Sequence, residues 1–219
     1  MPPRSNVMTG IVKQEAVDMY ERYIKRAIDF VMALCGLIIL AIPMAVIAAV
    51  VKTGSPGPVF FRQKRTGRGK SEFEMLKFRT MRTDAPKDMP THLLEDPEKW
   101  ITPSGKFLRK TSLDELPQIF NILKGDMAVI GPRPALWNQY DLTAARDSYT
   151  KKGKTVNDLR PGLTGLAQVN GRDELPIAQK AAYDGEYLKN ITFLYDCRIF
   201  IKTIVSVLKH DGVVEGKQG

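Results

Sequence analysis

FVMALCGLIILAIPMAVIAAVV, residues 30 to 51, decides how the rest of this chain is read. The 22 residues carry no charge, and an apolar run of about 18 to 20 is long enough to cross a bilayer as a helix. A soluble core helix seldom stays apolar on every face for that length. A secretory signal core would be shorter, about 7 to 15 residues behind a brief basic stretch. Here 29 residues come first, and they read as an amphipathic helix. Pro43 stands inside the run. It donates no backbone hydrogen bond, so the Ile39 carbonyl loses its helical partner and a bend is expected. Lys25 and Arg26 flank one end and Lys52 the other, and flanking cations favour the cytoplasmic side. Both flanks claim the same side. A helix bent at Pro43 that enters and leaves by one leaflet satisfies them, and this re-entrant form is expected over a spanning one.

Near the other end of the chain, Phe193, Leu194, Cys197, Phe200, Ile201, Ile204, Val205 and Leu208 recur at spacings of three and four. That segment, residues 191 to 210, reads as an amphipathic helix suited either to a core or to a membrane interface. Between the two, residues 59 to 65 and 73 to 81 look like strands around a glycine-containing turn. Residues 83 to 100 form an acidic, proline-bearing loop. Helices are expected over 113 to 124, where Gly125 ends the pattern, over 136 to 152, and over 176 to 208. A short strand spans 127 to 130, and 160 to 172 reads as a glycine-punctuated loop. The fold class is α+β, mainly helical with one small β-hairpin. Residues 1–52 form the amphipathic and membrane-inserted part, and 53–219 one integrated domain on the cytoplasmic face.

The formal net charge is +9, which calls for an anionic partner: nucleic acid, membrane or a phosphorylated substrate. Nine basic residues against two acidic ones fall between Lys52 and Arg82, so the charge is concentrated. Cys35 and Cys197 are isolated, which fits a reducing compartment and packing roles. His92 and His210 have no neighbours that would complete a zinc site.

Thr111-Ser112-Leu113-Asp114-Glu115-Leu116-Pro117-Gln118 is the densest candidate for chemistry. It opens a helix. Ser112 as N-cap would let Glu115 close a capping box; Asp114 as N-cap would put Pro117 where no donor is needed. Either way a carboxylate pair lies at a helix N-terminus, where the dipole keeps Asp114 ionised and welcomes phosphate. Cations surround the pair in sequence. Arg109 and Lys110 precede it, and Arg133 follows in a Gly-Pro-Arg-Pro loop that fixes one guanidinium. Lys77 and Arg79 alternate on a strand and share a face. Such a set suits phosphoryl transfer, usually with a divalent ion. The chain has no Walker A loop, no GxGxxG and no Ser-His-Asp set, which removes ordinary kinases, Rossmann enzymes and serine hydrolases.

KFRTM (77 to 81), SLDELPQIFNILKGDMAVIGPRP (112 to 134) and RPGLTGLAQVNGR (160 to 172), behind a re-entrant helix, resemble the bacterial sugar transferases, the small monotopic phosphoglycosyl transferases of glycan assembly. The resemblance runs from about Tyr20 to the end. It implies a two-step reaction at the cytoplasmic face of a bacterial inner membrane. Asp114 attacks the sugar-bearing phosphorus of a UDP-sugar and releases UMP, and polyprenyl phosphate then takes the phosphosugar. Asp114 and Glu115 are the implied catalytic pair, with Mg2+ held by Asp114. Arg109 and Arg133 match cationic positions around the phosphates, Lys77 and Arg79 are placed with them as phosphate-binding residues, and Arg160, Gln168 and Asn170 are assigned to substrate. One departure stands out: many relatives place a serine before the helix-breaking proline, where this chain has Ile42. A nucleic-acid-binding protein would explain the charge but leave residues 30 to 51 without a use, so no nucleic acid is expected as partner. A non-catalytic membrane anchor would not need the Asp-Glu pair in its cationic setting.

Overall fold

The computed structural model describes residues 18 to 86, 96 to 171 and 174 to 209. Most of the N-terminal amphipathic stretch, His92, Arg172 and His210 fall outside them. A π-helical turn, Tyr20–Ile24, runs into helix α1, Lys25–Gly54, whose 30 residues include Pro43. Its two sides differ. Ala33, Leu37, Leu40, Met44, Ile47, Ala48 and Val51 face the body, at the spacings of three and four that put residues on one helical face. Val31, Leu34, Ile38, Ile42, Val46 and Val50 face outward, Ile42 with 79% of its surface exposed. The helix is long and apolar enough to cross a membrane, and only 11% of its most apolar stretch is buried against the chain. A soluble core helix would be mostly buried.

The helix ends at the Gly54-Ser55-Pro56-Gly57-Pro58 stretch, with Ser55 already extended. Strands β1, Phe60–Thr66, and β2, Glu72–Phe78, form an antiparallel hairpin with Phe61 opposite Lys77. Helix α2, Pro103–Lys110, starts on Thr102, whose hydroxyl accepts from the Gly105 amide at 3.0 Å. A 3-10 turn, Leu113–Glu115, then leads to helix α3, Gln118–Lys124, which ends at Gly125 with φ 103°. The single helix expected over 113 to 124 is thus two pieces, because Pro117 brings no amide donor and takes the N-cap place of α3.

Strand β3, Ala128–Ile130, pairs in parallel not with a neighbour in sequence but with β6, Gly162–Thr164. The glycine-punctuated segment is therefore partly a strand. A Cβ on Gly162 would lie 2.1 Å from the Gly131 nitrogen, so this glycine serves close backbone approach. The helix expected over 136 to 152 is shorter: α4 covers Tyr140–Asp147 and gives way to a tiny hairpin, β4 Thr150–Lys151 with β5 Lys154–Thr155. The long C-terminal helix is also two, α5 Ile177–Asn190 and α6 Phe193–Lys209. The break falls on two β-branched residues, and Thr192 starts α6 by accepting from the Tyr195 amide at 3.2 Å.

The core does not divide at residue 52. One cluster joins Ala33 of α1 to Ile122, Met127, Ile130, Tyr187 and Ile199; another joins Met44 and Val51 to Phe78 and Leu108. A polar knot fastens the first end of the helix. The Tyr20 hydroxyl donates to Asp196 Oδ2 at 2.6 Å, Tyr187 donates to Oδ1 at 2.7 Å, and Lys25 Nζ reaches Oδ2 at 2.7 Å. One turn on, the Val129 amide donates to Asp29 Oδ1 at 3.0 Å. On α6 the inward residues are Asp196 and Ile199, while Leu194, Ile201, Ile204 and Val205 stay exposed. Cys35, expected in packing, is exposed on α1, and Cys197 is half-buried.

Candidate active site

Ser112 has a left-handed backbone, φ 56°, and its side chain caps nothing. Neither capping arrangement expected from the sequence forms. Instead the 3-10 turn carries Asp114 into the protein, where 8% of it remains exposed, with Glu115 beside it. Lys77, from β2, reaches across with Nζ 2.7 Å from Glu115 Oε1 and 4.0 Å from Asp114 Oδ2. Arg133 approaches from the other side, Nη2 3.6 Å from Glu115 Oε1. Arg109, in the last turn of α2, adds a second positive field at Asp114 beside that of Lys77. Five residues from four segments thus meet.

Burial raises the Asp114 carboxyl above the ordinary aspartate range. Lys77 and Arg109 pull it back down, and Glu115 pushes it further up. Loss of water is the largest influence on this carboxyl and acts against the stabilisation expected from a helix end and Arg109. The helix-end argument also weakens, since Asp114 precedes α3 by four residues within a separate turn.

Several side chains hold this turn against the hairpin. Asn121 on α3 accepts from the Leu76 amide at 3.0 Å and donates to the Glu74 carbonyl at 2.8 Å. It satisfies the free edge of β2 and sets α3 beside Lys77. The far end of α3 is capped by two guanidiniums. Arg26 donates to the Ile122 and Leu123 carbonyls at 2.6 and 3.0 Å, and Arg160 Nε donates to the Gly125 carbonyl at 2.8 Å. Cations suit the negative end of a helix. Asn121 escaped the sequence reading, and so did the capping role of Arg26, expected only as a flanking cation. For Asn121 the signal was present: a polar residue between Ile119 and Ile122 on an otherwise buried helical face.

The remaining expected residues are scattered. Arg79 lies beyond the end of β2 and is buried. Its guanidinium donates to Pro58 O at 2.6 Å, Ser55 Oγ at 2.7 Å, Ser55 O at 2.8 Å and Val51 O at 3.5 Å. It closes the C-terminal end of α1 and does not join Lys77 at the dyad. Arg160 stands at the end of α3, as described. Gln168 is buried beside Gly165, and both its amide atoms lack a hydrogen-bond partner among the described residues. Asn170 donates to the nearby Leu166 carbonyl at 2.7 Å.

The Gly-Pro-Arg-Pro loop is anchored through its carbonyls. Pro132 O accepts from the Gly162 amide at 2.9 Å and Arg133 O from Arg146 Nη2 at 2.9 Å. Pro134 O accepts from Arg65 Nη1 at 3.0 Å and Ala135 O from the Thr66 amide at 2.9 Å. Next to it opens a narrow cleft lined by Arg65, Met75, Gln118, Arg133, Pro134, Gly162 and Leu163.

Among the described residues no three His, Cys, Asp or Glu side chains converge as a metal cage. Two adjacent carboxylates are nonetheless a donor set that Mg2+ accepts, since this ion keeps several waters and is often held by one or two carboxylates plus substrate phosphates. Asp114 and Glu115 fit that pattern.

The sequence matches the family described as bacterial sugar transferase over residues 20–210. It is 39% identical over 217 residues to the UDP-glucose:undecaprenyl-phosphate glucose-1-phosphate transferase of Xanthomonas campestris pv. campestris, covering 94% of this chain and 42% of that protein. It is 38% identical over 190 residues to an uncharacterized sugar transferase, EpsL, of Bacillus subtilis, covering 87% of this chain and 90% of that protein. With the undecaprenyl-phosphate galactose phosphotransferase of Salmonella typhimurium it shares 35% identity over 220 residues, 94% of this chain and 45% of that protein. The chain spans less than half the length of the first and third of these, and nearly all of the second. One family description covers the apolar helix, the carboxylate pair and the Gly-Pro-Arg-Pro loop together, and the chain belongs to the bacterial sugar transferases.

Proposed function

We propose that this protein transfers a sugar 1-phosphate from a UDP-sugar to polyprenyl phosphate, an early membrane step of bacterial glycan assembly. The observation that carries the proposal is the buried Asp114 beside Glu115, with the Lys77 ammonium 2.7 Å from Glu115 and 4.0 Å from Asp114. A carboxylate nucleophile, a second carboxylate and fixed cations are what a phosphoryl centre requires, because the transition state spreads charge over phosphate oxygens. Relatives whose names give UDP-glucose or undecaprenyl phosphate as substrates support the donor and acceptor classes.

In the first step an Asp114 oxygen forms a bond to the sugar-bearing phosphorus, and the phosphorus–oxygen bond to UMP breaks. In the second, an oxygen of polyprenyl phosphate attacks the same phosphorus and the bond to Asp114 breaks. Polyprenyl diphosphate sugar leaves and the carboxylate is restored. Lys77 holds Glu115 and offsets charge at Asp114. Arg133 and Arg109 steady the phosphate oxygens. Asp114, with Glu115 beside it, would hold Mg2+, which when bound supplies positive charge to the phosphates.

The two substrates meet at a membrane surface. The two ends of α1 are fastened to one body, Asp29 to Val129 and Val51 through Arg79. A straight helix of 30 residues measures roughly 45 Å, more than the roughly 30 Å hydrocarbon core. Crossing it would drag the attached body into lipid. These attachments favour α1 entering and leaving by the cytoplasmic leaflet, with the apolar side of α6 at the interface.

The test is UMP release over a panel of UDP-sugars, with and without polyprenyl phosphate, alongside intact mass. Donor alone should release at most about one equivalent of UMP per site and add a sugar phosphate to the protein. If UMP appears only when the acceptor is present and the mass never changes, direct attack by the acceptor replaces the two-step route. No release from any donor overturns the activity.

A further inference from the structure

Arg133 reaches the dyad from a loop with little means of holding itself. Pro132 and Pro134 bring no amide hydrogens, so the register of the loop rests on what grips its carbonyls. Arg146 grips the one that belongs to Arg133 itself, at 2.9 Å. Arg146 lies on α4 and is buried. Its Nε and Nη2 also donate to Asp184 Oδ2 on α5, at 2.9 and 2.7 Å. Asp184 is 1% exposed, and its Oδ1 has no partner among the described residues.

This is a costly arrangement for packing alone. A buried ion pair seldom stabilises a fold more than apolar residues of the same volume would, and an unpartnered carboxylate oxygen adds to the cost. What apolar residues could not supply is a rigid, charged donor to the Arg133 carbonyl. A planar guanidinium can hold Asp184 and that carbonyl at once, whereas an ammonium cannot keep the same fork.

We propose that Arg146 is a positioning residue, aiming the Arg133 guanidinium at the dyad through the Arg133 carbonyl, with Asp184 fixing Arg146 in turn. The proposal rests on the phosphoglycosyl transfer reading of the dyad. Neither Arg146 nor Asp184 touches reacting atoms.

The test combines a double-mutant cycle with hydrogen exchange. Arg146→Lys keeps a cation and should still fold; Arg146→Met and Asp184→Asn extend the series. In the otherwise native protein, Arg146→Lys should lower kcat for UMP release about 10- to 100-fold, since a small misplacement of a catalytic group costs that much. In an Arg133→Ala background the same change should cost less than about twofold, because the group it positions is gone. Amides of residues 131 to 136 should exchange faster in Arg146→Lys, with those of α3 unchanged. Equal losses in both backgrounds, or unaltered exchange in the loop, would reduce Arg146 to a core ion pair and overturn the proposal. Should the native protein release UMP from no donor, the activity reading falls instead, and loop exchange decides this one alone.

Discussion

Asp114 is held where a carboxylate is costly to ionise. Its folded-state pKa stands above that of an exposed aspartate, about 3.9, with burial the largest cause. Its contribution to stability is therefore fully present below the unfolded-chain pKa and is lost as pH rises through the folded value. At neutral pH, Asp114→Asn should raise the melting temperature while abolishing both UMP release and the phosphosugar adduct. A lower melting temperature would mean that Lys77 and Arg109 outweigh burial. The same shift should appear in kinetics: the acidic limb of the UMP burst should lie above the usual carboxylate range. Lys77→Met should move that limb higher still, since Lys77 draws it down. At Arg133, removal of the guanidinium should cost on the order of a hundredfold in turnover, and Arg133→Lys should recover part. Unchanged turnover in Arg133→Ala would make the residue a loop anchor only.

At the scale of elements, α3 is the part that aims the dyad, and it is clamped at its C-terminal end by Arg26 and Arg160. Arg160 was expected at the substrate, yet its Nε is spent on Gly125. Arg160→Ala should lower stability by about 1 to 3 kcal/mol and leave the donor KM near the native value. A large rise in KM would return Arg160 to the substrate site. The difference between what was and was not legible has a physical basis. Lys77 and Glu115 were each readable as site candidates, one a strand cation and the other part of a compact motif, although their contact spans 38 residues. The place of Arg79 was not readable, because where β2 stops depends on the end of α1, 24 residues earlier at Ser55. The pairing of β3 with β6 and the Arg146–Asp184 bridge join distant segments. Nothing local in the sequence marks Arg146 and Asp184, 38 residues apart, as partners. The hairpin, the long apolar helix and the Gly125 stop were readable because each is set by its own residues.

For the whole molecule, the outward apolar sides of α1 and α6 define one environment and the basic body another. The proposed re-entrant topology makes a direct prediction. Cysteines introduced at positions 25 and 52, without Cys35 and Cys197, should both resist a membrane-impermeant thiol reagent in intact cells. Labelling of one end alone would mean that α1 crosses the bilayer. Pro43→Leu restores an amide donor in mid-helix and should favour crossing, so that one end becomes reactive.

The hydrogen bond from Tyr20 to Asp196 joins residues 176 positions apart. At translation rates of about 5 to 20 residues per second, the partner of Tyr20 is made roughly 10 to 35 s after it. For that interval α1 has left the ribosome without the surface that covers its inner side. Under the proposed membrane anchoring, lipid shelters it first and the body then condenses onto a helix already in the bilayer. On that reading insertion precedes tertiary folding, and α6, made late, fastens α1, made early.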